Sequence, residues 1–94
     1  MSSYVVAAPP TEAWTYRIDA ITRLIGWVRP STSGRSRALA TLEQLRAAVS
    51  DGERFSTTLC QLARDLDEVY PGGAVVSLAR RHVRDMVLAF NHRR

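Results

Sequence analysis

The chain has 94 residues, of which 46% are apolar and 23% charged, the composition of a globular domain and not of a disordered tail. A chain of this length holds one domain and buries only about three fifths of the surface its unfolded form exposes, so it folds with little reserve. All 13 basic residues are Arg, set against nine acids for a formal charge of +4, and guanidinium groups suit carboxylate and phosphate partners.

Residues 1–10, MSSYVVAAPP, lack the basic start and long apolar run of a secretory signal. They are expected to be disordered or weakly extended, ahead of a single domain over 11–94. No apolar stretch nears the roughly 18 residues of a membrane span, so no membrane insertion is expected and the cytoplasm is the default compartment. Trp14, Ile18, Ile21, Ile25 and Val28 recur at steps of four, three, four and three, which sets them on one side of a helix over 11–29. Thr11 suits the N-cap and Glu12 the first turn. Pro30 restricts the residue before it, so the helix is expected to stop at Arg29.

Ala38, Leu42, Leu45 and Val49 repeat the spacing and give a second helix over 35–49. Ser50-Asp51-Gly52 then reads as a turn with Gly52 left-handed. Phe55, Leu59, Leu62, Leu66 and Val69 give a third helix over 53–70, broken by Pro71-Gly72-Gly73. Val76, Ala79, Val83, Met86, Val87 and Phe90 give a fourth over 74–91, with Leu78 and Leu88 outside its stripe. That helix is apolar over more of its circumference than a surface helix needs, so it buries two faces or meets a partner. Short connections between amphipathic helices favour antiparallel neighbours, and strand alternation is missing. The expected fold is all-α, a small antiparallel bundle of four helices.

No catalytic or metal-binding signature emerges. His82 and His92 lack the i, i+4 pairing with which a helix holds a metal, and one cysteine excludes an internal disulfide and a cysteine-based zinc site. Cys60 lies beside the third stripe and is expected to behave as a small buried hydrophobe. Asp65, Asp67 and Glu68 read as a solvated face, with Arg64 placed to pair with Glu68 at i, i+4. Gly72-Gly73 lacks the further glycines and the Lys of a phosphate loop. No cofactor, metal or enzymatic activity is therefore expected.

Binding is the better expectation. Trp14 lies on the first stripe and belongs to the core. Trp27 follows Gly26, a residue that often admits a neighbouring backbone, so Trp27 is expected to pack in the core; the alternative is an exposed anchor for a protein partner. Trp27, Leu78, Leu88 and Phe90 are the candidate protein-interface residues. Charge is uneven: eight Arg and eight acids cancel over residues 1–74, whereas Arg80, Arg81, Arg84, Arg93 and Arg94 face only Asp85 over 75–94. Those five Arg are the candidate nucleic-acid contacts, tracking a phosphate backbone with little sequence preference. A helix-turn-helix using the third helix is disfavoured, because Arg54 and Arg64 against Glu53, Asp65, Asp67 and Glu68 leave that helix at −2.

The segment from Trp14 to Arg29, WTYRIDAITRLIGWVR, followed by an Ala/Leu/Arg-rich helix pair, resembles the N-terminal helical region of bacterial Gcr-type site-specific recombinases over residues 10–76. The resemblance implies a helical accessory segment. It does not imply recombination, since the chain lacks the Arg, His-x-x-Arg and Tyr set of a tyrosine recombinase. The expected function is thus non-catalytic, through contact with a protein partner or a second copy. A small nucleic-acid-binding protein is the alternative.

Overall fold

A computed structural model of the chain describes residues 10–92. The expectation of disorder ahead of Pro10, and the roles given to Arg93 and Arg94, lie outside the described residues. Four helices follow one another: α1 (Pro10–Gly26), α2 (Arg35–Ala47), α3 (Gly52–Asp67) and α4 (Gly73–His92). Among the described residues, backbone contacts join α1 to α2, α2 to α3, α3 to α4 and α4 back to α1, with none between helices across the diagonals. Trp14 near the start of α1 meets Phe90 near the end of α4, and Arg35 at the start of α2 reaches the Gly26 carbonyl at the end of α1. The chain is an up-down bundle of four antiparallel neighbours, the expected all-α architecture.

The four apolar stripes meet inside the ring. Ile18, Ile21 and Ile25 of α1, Leu42 and Leu45 of α2, Phe55, Leu59, Leu62 and Leu66 of α3, and Val76, Ala79 and Met86 of α4 are buried. Each large aliphatic or aromatic side chain so buried is worth roughly 1.5–3 kcal/mol, which makes this core the main source of stability. Trp14, Phe55 and Phe90 form an aromatic cluster at one end, with centroids 5.4, 5.7 and 6.3 Å apart. Phe90, proposed from sequence for an interface, is therefore partly buried against that cluster.

The helix ends differ from the sequence expectation in definite ways. Pro10 opens α1, so Thr11 stands inside the first turn and not at the N-cap; proline suits a first helical position because its missing N–H would have no partner there. α1 stops at Gly26, three residues before Arg29: the Trp27 N–H donates to the Leu24 carbonyl at 3.1 Å and the Val28 N–H to Ile25 at 3.1 Å, a tightened last turn. Val28 stays buried beyond the helix. α2 ends at Ala47 and not Val49, and α3 at Asp67 and not residue 70. α4 runs one residue further at each end than expected, from Gly73 to His92.

Gly52 is the first residue of α3 and not a left-handed turn residue; Asp51 caps that helix, its Oδ1 accepting from the Arg54 N–H at 3.3 Å. The left-handed positions are Gly34 (φ 85°) and Gly73 (φ 69°). At Gly34 a β-carbon would stand 2.7 Å from the Glu68 carbonyl oxygen, because Ser33 and Tyr70 exchange backbone hydrogen bonds of 3.2 and 3.1 Å and bind the two connections side by side. The close approach expected at Gly26 is absent, with nothing within 4 Å of a β-carbon there.

Candidate functional site

Each of the four seams carries one Arg–carboxylate pair. Asp19–Arg46 joins α1 to α2 at 2.5 Å, Arg37–Glu68 joins α2 to α3 at 3.3 Å, Asp67–Arg80 joins α3 to α4 at 3.5 Å, and Arg17–Asp85 joins α4 to α1 at 3.6 Å. Surface pairs of this kind contribute about 0–1 kcal/mol each. Their larger consequence is that they decide which charges remain available. Glu68 is taken by Arg37, so the expected Arg64–Glu68 pair does not form; Arg64 donates instead to Gln61 Oε1 at 3.1 Å.

Asp65 also departs from the expected solvated face. It is 2% exposed, accepts a short hydrogen bond from the Thr41 hydroxyl of α2, and accepts from Gln61 Nε2 at 2.8 Å. Both donors point at it, so its burial between α2 and α3 is satisfied on each oxygen. His82 Nδ1 lies 3.3 Å from Arg17 Nη1; a guanidinium only donates, so Nδ1 is the acceptor there. The single thiol, Cys60, is exposed and not buried. No group of three or more His, Cys, Asp or Glu able to hold a metal occurs among the described residues, and none of the described helices is long and apolar enough to cross a membrane.

The cationic candidates fall into two sorts. Arg80 turns back onto α3, with Nη2 donating to the Leu66 carbonyl at 3.0 Å and Nε facing Asp67. It thereby satisfies a carbonyl in the last turn of α3, where cations are favoured. Arg81 and Arg84 are exposed, with no ion pair to any described residue. Together with Ser77 and Arg80 they line an open depression of about 380 Å³. The +4 excess read from the last 20 residues therefore reduces, among the described ones, to two unpaired cations on one flank of α4.

Trp27, expected in the core, is 74% exposed. The reason is the tightened turn after Gly26, which keeps Val28 inward and turns the preceding side chain outward. Tyr70 is 76% exposed on the α3–α4 connection, which the Ser33–Tyr70 pairing holds beside the α1–α2 connection. These two aromatics are thus displayed at one end of the bundle, whereas Tyr16, also exposed, stands near the start of α1. Sequence reasoning passed over Tyr70, although its place next to Pro71, past the last stripe residue Val69, was a signal for it. Leu78 and Leu88 are 43% and 62% exposed on α4, outside the buried stripe as expected. Comparison with protein-family models, curated proteins and solved structures finds no match.

Proposed function

We propose that this chain is a non-catalytic, cytoplasmic helical protein that acts by binding a protein partner or a second copy of itself. The observation that carries the reading is the exposure of Trp27 and Tyr70 at the end of the bundle where the two connections are pinned together. Large aromatics presented on a held backbone lose little entropy on binding and concentrate interface energy. The resemblance to a recombinase accessory segment belongs to the same proposal, since it too implies contact and no chemistry. Sedimentation over a concentration series, together with affinity capture from cells making the protein, tests it. The wild-type chain is expected to self-associate or to bring down a protein that Trp27→Ser/Tyr70→Ser does not, with that variant's folding stability unchanged. A monomer that captures nothing the double variant does not also capture would contradict the reading.

The depression lined by Ser77, Arg80, Arg81 and Arg84 favours a second reading, binding of nucleic acid along α4. Each phosphate neutralised lowers the log-log salt slope by about 0.9, so Arg81 and Arg84 alone give about −1.8, whereas all five Arg from 80 to 94 give about −4.5. A slope near the first value marks weak, incidental contact. A slope near the second, reduced in magnitude by about 1.8 in Arg81→Ala/Arg84→Ala, would put nucleic acid ahead of protein.

A further inference from the structure

We propose that the depression on the flank of α4 takes the phosphomonoester group of a phosphorylated Ser or Thr side chain on a partner protein; this rests on the protein-binding reading and gives it a ligand chemistry. Ser77, Arg80, Arg81 and Arg84 stand at i, i+3, i+4 and i+7, so the helix brings them to one face. They line the depression of about 380 Å³ with three guanidinium groups and a hydroxyl, and no carboxylate is among its lining residues. The two acids beside these arginines are spent elsewhere, Asp85 on Arg17 across the seam to α1 and Asp67 on Arg80. Arg80 donates to the Leu66 carbonyl at 3.0 Å, which makes it a fixed wall. Arg81 and Arg84 have no ion pair among the described residues. Those two cations, three residues apart on one helix, repel each other, and an anion held between them relieves the repulsion.

Charge and shape select the occupant. With Arg80 offset by Asp67, the other two guanidinium groups carry a double positive charge, and a phosphorylated side chain brings about −1.5 to −2 near neutral pH, with three oxygens to accept from Arg forks. A carboxylate brings a single charge. A phosphodiester strand needs a row of cations that continues along its length, yet this face of α4 runs into Ala74 before Ser77 and Leu88 after Arg84, neither of them charged. A free phosphate satisfies the cations but leaves unused what lies beside them. Arg80 and Arg84 also wall a second hollow of about 230 Å³, whose other lining residues are Ala63, Leu66, Asp67, Val83 and Val87. Asp67, the acid among them, is the one already paired with Arg80; the remaining four are apolar and offer a seat to one aliphatic side chain. A peptide supplies both groups from one chain, because residues two apart in an extended segment lie on the same side about 7 Å from each other.

The probe is a fluorescein-labelled synthetic peptide with one phosphoserine and a Leu two residues after it. Anisotropy is expected to show it binding about tenfold more tightly than the unphosphorylated peptide or one with Glu for phosphoserine, and about threefold more tightly than one with Ser for Leu. Arg81→Gln/Arg84→Gln is expected to weaken it about tenfold with the urea midpoint unchanged, and amide shifts should centre on Ser77, Arg81 and Arg84. Equal binding of the unphosphorylated or the Ser-for-Leu peptide, full binding by Arg81→Gln/Arg84→Gln, or shifts centred on Trp27 would overturn the proposal. Inorganic phosphate, a single-stranded oligonucleotide and phosphatidate vesicles, compared at equal phosphate concentration, are expected to displace the probe less well than the unlabelled phosphopeptide. Any of them that displaces it equally well gives the site to that source and overturns the proposal too. The Trp27→Ser/Tyr70→Ser variant separates the two readings, since it is expected to keep peptide binding. If the wild type ignores the peptide while that variant still loses its assembly, the phosphate site fails and the aromatic end stands.

Discussion

Three alanine substitutions at glycine isolate what holds the two connections together. Gly73→Ala forces an L-residue into φ 69° with open space around the new β-carbon, so its cost is that of the left-handed backbone alone, about 1–2 kcal/mol. Gly34→Ala bears the same backbone cost at φ 85° and also drives a β-carbon to 2.7 Å from the Glu68 carbonyl oxygen and 3.2 Å from the Val69 α-carbon. Both obstacles are backbone, so α2 and the end of α3 must separate, which adds about 1–3 kcal/mol, as overpacking does. Gly26→Ala meets nothing within 4 Å in ordinary helical backbone and is expected to stabilise by about 0.4–1 kcal/mol. A domain of this size has roughly 5–15 kcal/mol in hand, and 1 kcal/mol moves Tm by about 4–8 °C. Urea unfolding followed by far-ultraviolet circular dichroism should therefore order the variants Gly26→Ala, wild type, Gly73→Ala, Gly34→Ala from most to least stable. Hydrogen exchange at the Ser33 and Tyr70 amides should accelerate most in Gly34→Ala. If Gly34→Ala and Gly73→Ala lie within about 0.5 kcal/mol of each other, the uncertainty of such additive comparisons, the two connections do not press together as described.

Thr41→Val keeps the side-chain volume but leaves one oxygen of buried Asp65 without its donor, and is expected to lose about 1–3 kcal/mol. Adding Asp65→Leu should recover part of that loss, giving a coupling above about 0.5 kcal/mol in a double-mutant cycle. Phe55→Ala removes the residue shared by both shorter ring contacts of the aromatic cluster and should cost about 3–5 kcal/mol in chemical denaturation. Trp27→Ala should change stability by less than about 0.5 kcal/mol while removing the red-shifted part of the tryptophan emission, leaving that of buried Trp14. Cys60 should react with a thiol reagent in the folded protein at the rate of an exposed cysteine, and protection until unfolding would contradict its placement.

The helices were legible because burial of the stripes is what the fold is made of. Ile18, Ile21 and Ile25, or Leu59, Leu62 and Leu66, can share a face only in a helix, and nothing in their surroundings competes. The ends were read less well because the same residues serve two purposes there. Val28 and Val69 continue their stripes and are buried, yet lie just past the helices, since a tightened turn can deliver one more apolar side chain inward. Asp65 was misplaced because charge was weighed above position. It falls on the α2-facing edge of the third stripe, where Thr41 and Gln61 supply the donors, and no pattern within α3 alone names Thr41. Cys60 shows the converse, an apolar type on the solvent side of the same helix.

Net charge locates the basic segment but does not say which of its guanidinium groups are already engaged. α4 holds one acid, Asp85, and that acid is spent on Arg17 across the seam to α1, not on its own helix neighbours Arg81 and Arg84. Arg80 is spent in the opposite direction, on Asp67 and the Leu66 carbonyl of α3. The two seams thus draw their charges from opposite sides of α4 and leave Arg81 and Arg84 with no ion pair among the described residues. For that reason removing Arg80 should cost more stability in urea unfolding than removing Arg84 does, and equal losses would contradict the contacts of Arg80 with α3.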